Sequence, residues 1–205
     1  MNIKLKQYQS FQRLVNPSDE LSVATLLGIS LGELKKKSKE DVDNLISEVT
    51  KWVSKEEREF HPTFKLNGIT YGFIPNLDDI TYGENKDITT FIGDWDTMHQ
   101  AMSVAYRPIK TNWLGRPIIK KGKYEIVPYE DIKSSDIMLE VDVNIVLGMQ
   151  VFFYNLMKEL VSYIPSYLKR ELVRMENNQE VSQRSGEAIK KYTHLLNQMS
   201  EDLMR

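Results

Sequence analysis

Thr63-Phe64-Lys65-Leu66-Asn67-Gly68-Ile69-Thr70-Tyr71-Gly72-Phe73-Ile74 is the stretch that decides the fold. Two short runs of β-branched and aromatic residues flank Asn67-Gly68, a pair that accepts the positive φ values of a tight hairpin turn. A hairpin is therefore expected over about 63–74, after His61-Pro62 and before Pro75-Asn76.

Outward from it the signals turn helical. Upstream, Ser18-Asp19-Glu20 opens one helix, Ser30 with Glu33 forms a capping-box pattern, and Ser38 starts a third helix with Glu40 and Asp41 in its first turn. In that third helix Val42, Leu45, Ile46, Val49, Trp52 and Val53 recur at steps of three and four, which makes one apolar stripe. Downstream, Thr81 and Glu84 give another capping box before Ile88 and Phe91, and Gly93 closes that helix. Asp94 then caps a helix in which Trp95, Met98, Met102, Ala105 and Tyr106 share a face until Pro108 stops the pattern.

Extended signals return between Ile109 and Tyr129. Pro117-Ile118-Ile119 and Tyr124-Glu125-Ile126-Val127 lie either side of a turn containing Gly122, so a second hairpin is expected over about 117–127. Beyond Ser134-Ser135-Asp136 the chain reads as helix to its end. The segment Val141 to Ile164 is apolar nearly all round, which suggests the spine of the core, with Gly148 allowing a close backbone approach. Asp142, Asn144, Gln150, Asn155, Lys158 and Glu159 interrupt it too often for a membrane span. Pro165 begins or kinks a more polar continuation.

Asn177-Asn178-Gln179 and Ser182 to Gly186 look like a break. After it Ile189, Tyr192, Leu196, Met199 and Leu203 form a heptad-spaced seam, the candidate surface for contact with another chain and for homo-oligomers. Packing back onto the domain is the competing use of that seam. The resulting expectation is an α+β, predominantly helical fold with small antiparallel hairpins covered by helices. Residues 1–60 form a helical N-terminal region joined to a central core over 61–176, and 177–205 form a C-terminal helical arm.

Composition narrows the function classes. The 27 basic and 29 acidic residues give a net charge of −2, so any nucleic acid or anionic membrane would need a local patch. With no cysteine there is no disulfide, thiolate metal site or thiol nucleophile. The first eight residues contain no apolar run, so no secretory leader is expected and a cytoplasmic location is the simplest reading.

No catalytic, cofactor-binding or metal-binding residue is assigned. His61, His99 and His194 lie on three separate elements without ligand spacing, and His99 reads as a hydrogen-bonding residue at the core edge. Asp78, Asp79, Glu84, Asp87, Asp94 and Asp96 form the most enzyme-like cluster, but helix starts and the loop after Pro75 account for most of it. Phosphate-loop glycine patterns and a Gly-x-Ser-x-Gly elbow are absent. The clearest charge asymmetry is Arg107, Lys110, Arg116, Lys120, Lys121 and Lys123, interleaved with Trp113 and Tyr124. Such a strip suits a phosphate backbone and stacked bases, or an acidic protein, or plain solvation.

One set of residues resembles a family. Tyr71-Gly72-Phe73-Ile74-Pro75-Asn76-Leu77, Thr81-Tyr82-Gly83-Glu84 with Asp87-Ile88, Trp95, Met98-His99, Ala105-Tyr106-Arg107-Pro108-Ile109, Tyr124 with Pro128-Tyr129, and Leu147-Gly148 with Phe152-Phe153 carry it. Together they resemble small proteins encoded among the structural and assembly genes of tailed bacteriophages, some of them similar to tail-assembly chaperones. The likeness covers about residues 71–153. It implies binding of other virion or tail proteins in the host cytoplasm, or retention in the virion as a component such as a head-tail connector, and it carries no catalytic residue. Nucleic-acid binding through the basic strip is the alternative from another class.

Overall fold

The computed structural model describes residues 1–55, 57–131 and 134–177, and the chain divides into two compact units, Met1–Met149 and Gln150–Arg205. The first unit opens with α1 (Leu5–Gln12), α2 (Asp19–Leu27), α3 (Leu31–Leu34) and α4 (Lys39–Val53). Their starts lie where the capping residues place them. Ser18 Oγ accepts from the Leu21 amide, Ser30 and Glu33 close a reciprocal capping box, and Ser38 Oγ accepts from the Asp41 amide. Each cap satisfies an amide that helix geometry orphans, a contribution of about 1 kcal/mol. The α4 stripe is covered along Val42, Leu45, Ile46, Val49 and Trp52, whereas Val53 at its end is exposed.

Strands β1 (Thr63–Leu66) and β2 (Ile69–Phe73) form the expected hairpin, with Asn67 at φ 49° and Gly68 at φ 80° in its two-residue turn. After it come α5 (Tyr82–Phe91), started by the Thr81–Glu84 capping box, and α6 (Met98–Ala105). The sequence places Tyr106 on that last helix; the structure makes it the first residue of a strand, β3 (Tyr106–Pro108). Two forces end the helix early. Pro108 disfavours helical backbone at Arg107. In addition, β3 pairs antiparallel with β2 at Phe73, Gly72 and Tyr71, giving the sheet order β1-β2-β3. The fully buried Tyr106 donates its hydroxyl to the His61 carbonyl at 2.8 Å, and its ring packs on Phe64 and Phe73.

The second hairpin is β4 (Ile119–Lys120) and β5 (Lys123–Tyr124) around Lys121 at φ 50° and Gly122 at φ 77°. It is shorter than 117–127 because its flanks pair elsewhere. The Ile118 amide donates to Lys110, the Lys110 amide donates to Glu125, and Ile109 bridges to Ile126.

The core of this unit gathers Leu5, Leu26, Met98, Met102, Met138 and Val146, each no more than 1 % exposed. These buried methionines are packing residues. α7 (Val143–Asn177) begins in the first unit and runs through Pro165 as one helix, so that proline does not start a new one. Among the described residues of α7 the fully buried ones lie in its opening turns, at Val143, Val146 and Met149, whereas Tyr154, Met157 and Leu160 in the second unit are about half exposed. The expectation of a core spine over 141–164 is corrected accordingly. Gly148 has the role its position suggested, since a Cβ there would lie 2.1 Å from the Glu59 carbonyl oxygen. Among the described residues, no helix is long and apolar enough to cross a membrane.

Candidate partner-binding site

The sheet sends out an arm between Lys110 and Tyr124, and its shape follows from local bonds. Asn112 organises the first loop: its Oδ1 accepts from the amides of Leu114 and Arg116, both at 3.0 Å, and its backbone exchanges bonds with Gly115 and Arg116. Gly115 at φ 72° supplies the left-handed position that closes the turn. The chain is thus fixed by its own polar groups and no apolar contact is needed to hold it. Trp113 is left 90 % exposed, with Leu114 at 54 %, Ile118 at 41 % and Ile119 at 47 %. Four large apolar side chains on this arm are thus in contact with water, a candidate surface for contact.

The structure redraws the basic strip. Arg107, its first residue by sequence, is buried: Nη2 lies 2.5 Å from Glu84 Oε1, and the two side chains are 7 % and 6 % exposed. It belongs to the core, paired with Glu84, and is not part of an exposed basic strip. Lys110 is exposed but pairs with Glu125 at 2.8 Å. Arg116, Lys121 and Lys123 are exposed and form no ion pair among the described residues. Lys120 lies on β4 with its side chain outside the described part. The exposed positive charge therefore sits on the arm around Trp113.

Within the acidic cluster, Glu84 is engaged by local bonds. Burial would raise its pKa, but bonds from the Thr81 amide and hydroxyl, together with the Arg107 charge, outweigh that and hold it below the ordinary value of 4.5. Asp94 caps the turn at Asp96, and Asp79 accepts from Asn76. Asp87 accepts from the Tyr129 hydroxyl, and this bond, with lesser help from burial and nearby acids, raises the tyrosine pKa. Among the described residues no three His, Asp or Glu side chains are grouped to hold a metal. His99 Nδ1 lies 3.3 Å from Gln9 Nε2, which itself donates to the Trp95 carbonyl. That is the core-edge role its sequence position suggests.

Two adjoining cavities lie within the first unit. One, of about 420 Å³, is lined mainly by apolar groups, among them Ile69, Tyr71, Tyr106, Val127, Ile137 and Met138. The other, of about 490 Å³, carries Asp87 and Glu130 and shares Ser103 and Ser134 with the first. Sequence reasoning missed both, because their linings come from segments scattered between residues 69 and 138. The heptad seam Ile189, Tyr192, Leu196, Met199 and Leu203 lies outside the described residues.

The fold is α+β and predominantly helical, with Trp113 exposed on an arm of the sheet. No family model, curated protein or solved structure matches the chain.

Proposed function

We propose that this chain is a non-enzymatic phage morphogenesis protein that binds a structural partner during tail or virion assembly. The arm of residues 110–124 is its described contact surface. The observation that carries the binding role is the 90 % exposure of Trp113 on a loop held by the Asn112 side chain. Trp and Arg dominate the energetics of protein interfaces, and here they occur together, as Trp113 and Arg116, among exposed aliphatic residues. A preformed loop also binds without the entropic cost of ordering itself. The assignment to virion assembly rests on the family resemblance of residues 71–153.

The test is co-purification of the N-terminally tagged chain with the products of its neighbouring genes. A virion subunit at defined ratio, lost with Trp113→Ala, supports the reading; capture of none of them by the wild-type chain overturns it. Presence of the chain at fixed copy number in mature particles selects a permanent component such as a head-tail connector over a chaperone.

A second reading, nucleic-acid binding, is favoured by the exposed Arg116, Lys121 and Lys123 on the same arm as the exposed indole of Trp113. It requires affinity that falls steeply with salt and with Lys121→Glu and Lys123→Glu.

A further inference from the structure

We propose that the arm binds a second copy of this chain, with the Trp113 loop of one copy seated in the apolar cavity beside Tyr71 and Met138 of the other. The inference rests on the reading of the arm as a contact surface and names its occupant. Three features of the two surfaces match.

The first is polarity and size. The loop offers an indole flanked by Leu114, and the cavity offers about 420 Å³ walled chiefly by aromatic and aliphatic groups. That volume lies in the range of about 300–1,000 Å³ that accepts compact apolar groups. Its own chain does not fill it this way, because Trp113 is 90 % exposed on a loop whose turn is fixed by Asn112.

The second is charge. Arg116, Lys121 and Lys123 on the same arm are exposed and have no ion-pair partner among the described residues. Arg107 in the cavity wall is already neutralised by Glu84, and beside the cavity lie Asp87 and Glu130, which line the adjoining hollow, and the exposed Asp136 next to Ile137. Seating the loop brings the two sets together. Phosphate, whether in nucleic acid or on an anionic membrane, would satisfy the cations but leave the cavity empty and its acidic flank unused, and those acids repel phosphate.

The third is placement. The cavity shares Pro108 with the strand from which the arm departs, so donor and acceptor surfaces are adjacent but carry different residues. Two copies can then exchange arms, or each can hand its arm onward in a head-to-tail series that closes as a ring or extends as a filament.

The experiment separates donor from acceptor. Trp113→Ala removes the knob at a residue that is 90 % exposed. Ile69→Arg, at a site 43 % exposed on the cavity wall, places a cation where the cationic loop must enter. Folding of both is verified by circular dichroism and melting temperature. Sedimentation across a concentration series should show the wild-type chain heavier than its 23.9 kDa monomer, and each variant monomeric. Mixing the two variants should restore a one-to-one dimer, since one supplies an intact arm and the other an intact cavity. A wild-type chain that stays monomeric overturns the proposal, as does a mass that neither variant changes or a mixture that does not pair. Trp113-dependent binding of a virion subunit, DNA or phosphatidylserine vesicles by a monomeric chain also overturns it. The virion-subunit outcome leaves the assembly reading standing.

Discussion

Arg107 and Glu84 form a buried ion pair, with Nη2 2.5 Å from Oε1 and both side chains at least nine-tenths covered. Arg107 comes from β3 and Glu84 from the first turn of α5, so one contact joins the sheet to the helix layer. Arg107 Nε is buried and has no hydrogen-bond partner among the described residues.

Glu84→Gln should destabilise the first unit strongly. Glutamine keeps the capping-box geometry, so the change isolates the charge and leaves a buried guanidinium uncompensated, at a cost of about 3–5 kcal/mol. Replacing both residues by methionine should restore part of that loss, because two desolvated charges and an unsatisfied Nε disappear together. Urea unfolding of the three variants measures both effects.

Acid should erase the advantage of the wild type over Glu84→Gln. The folded pKa of Glu84 lies below its ordinary value of 4.5, so the folded state binds fewer protons than the unfolded one at this site. The stabilisation is therefore complete above about 4.5 and lost as pH falls through the depressed folded value. Unfolding midpoints of both proteins from pH 7 down to pH 3 should converge, and a constant gap would show that Glu84 is not held as an anion.

Gly148→Ala should destabilise although it sits in a helix. Alanine gains about 1 kcal/mol of helix propensity over glycine. Against that, its Cβ would stand 2.1 Å from the Glu59 carbonyl oxygen, a backbone atom that cannot swing aside. Overpacking of this kind costs about 1–3 kcal/mol, so a net loss is expected in denaturant titration.

Asn112→Ala should loosen the Trp113 loop and leave the core intact. Two amide bonds to Oδ1 disappear, so the amides of Leu114 and Arg116 should exchange with solvent faster. Global stability should move by no more than about 0.5 kcal/mol, because the loop is exposed. Hydrogen exchange with the unfolding midpoint distinguishes this from general destabilisation.

Local chemistry made much of the fold legible. Ser18, Ser30, Ser38 and Thr81 start helices because a hydroxyl reaches an amide three residues on, and Asn67-Gly68 turns a hairpin because both residues accept positive φ. Such interactions are complete within a few residues, so sequence alone determines them. The same holds for the Asn112 turn in principle: a short polar side chain four residues before an amide, with Gly115 between, was a signal available in the sequence.

The tertiary structure decided what no local rule contains. It moved Tyr106 from helix to strand because β2 offered a partner 33 residues earlier, from Phe73 to Tyr106. It removed Arg107 from the basic strip by burying it against Glu84, it left Trp113 in water, and it assembled cavity walls from residues as far apart as Ile69 and Met138. Burial, ion pairing and concavity depend on which distant segments meet, whereas capping and turn formation depend only on neighbours along the chain.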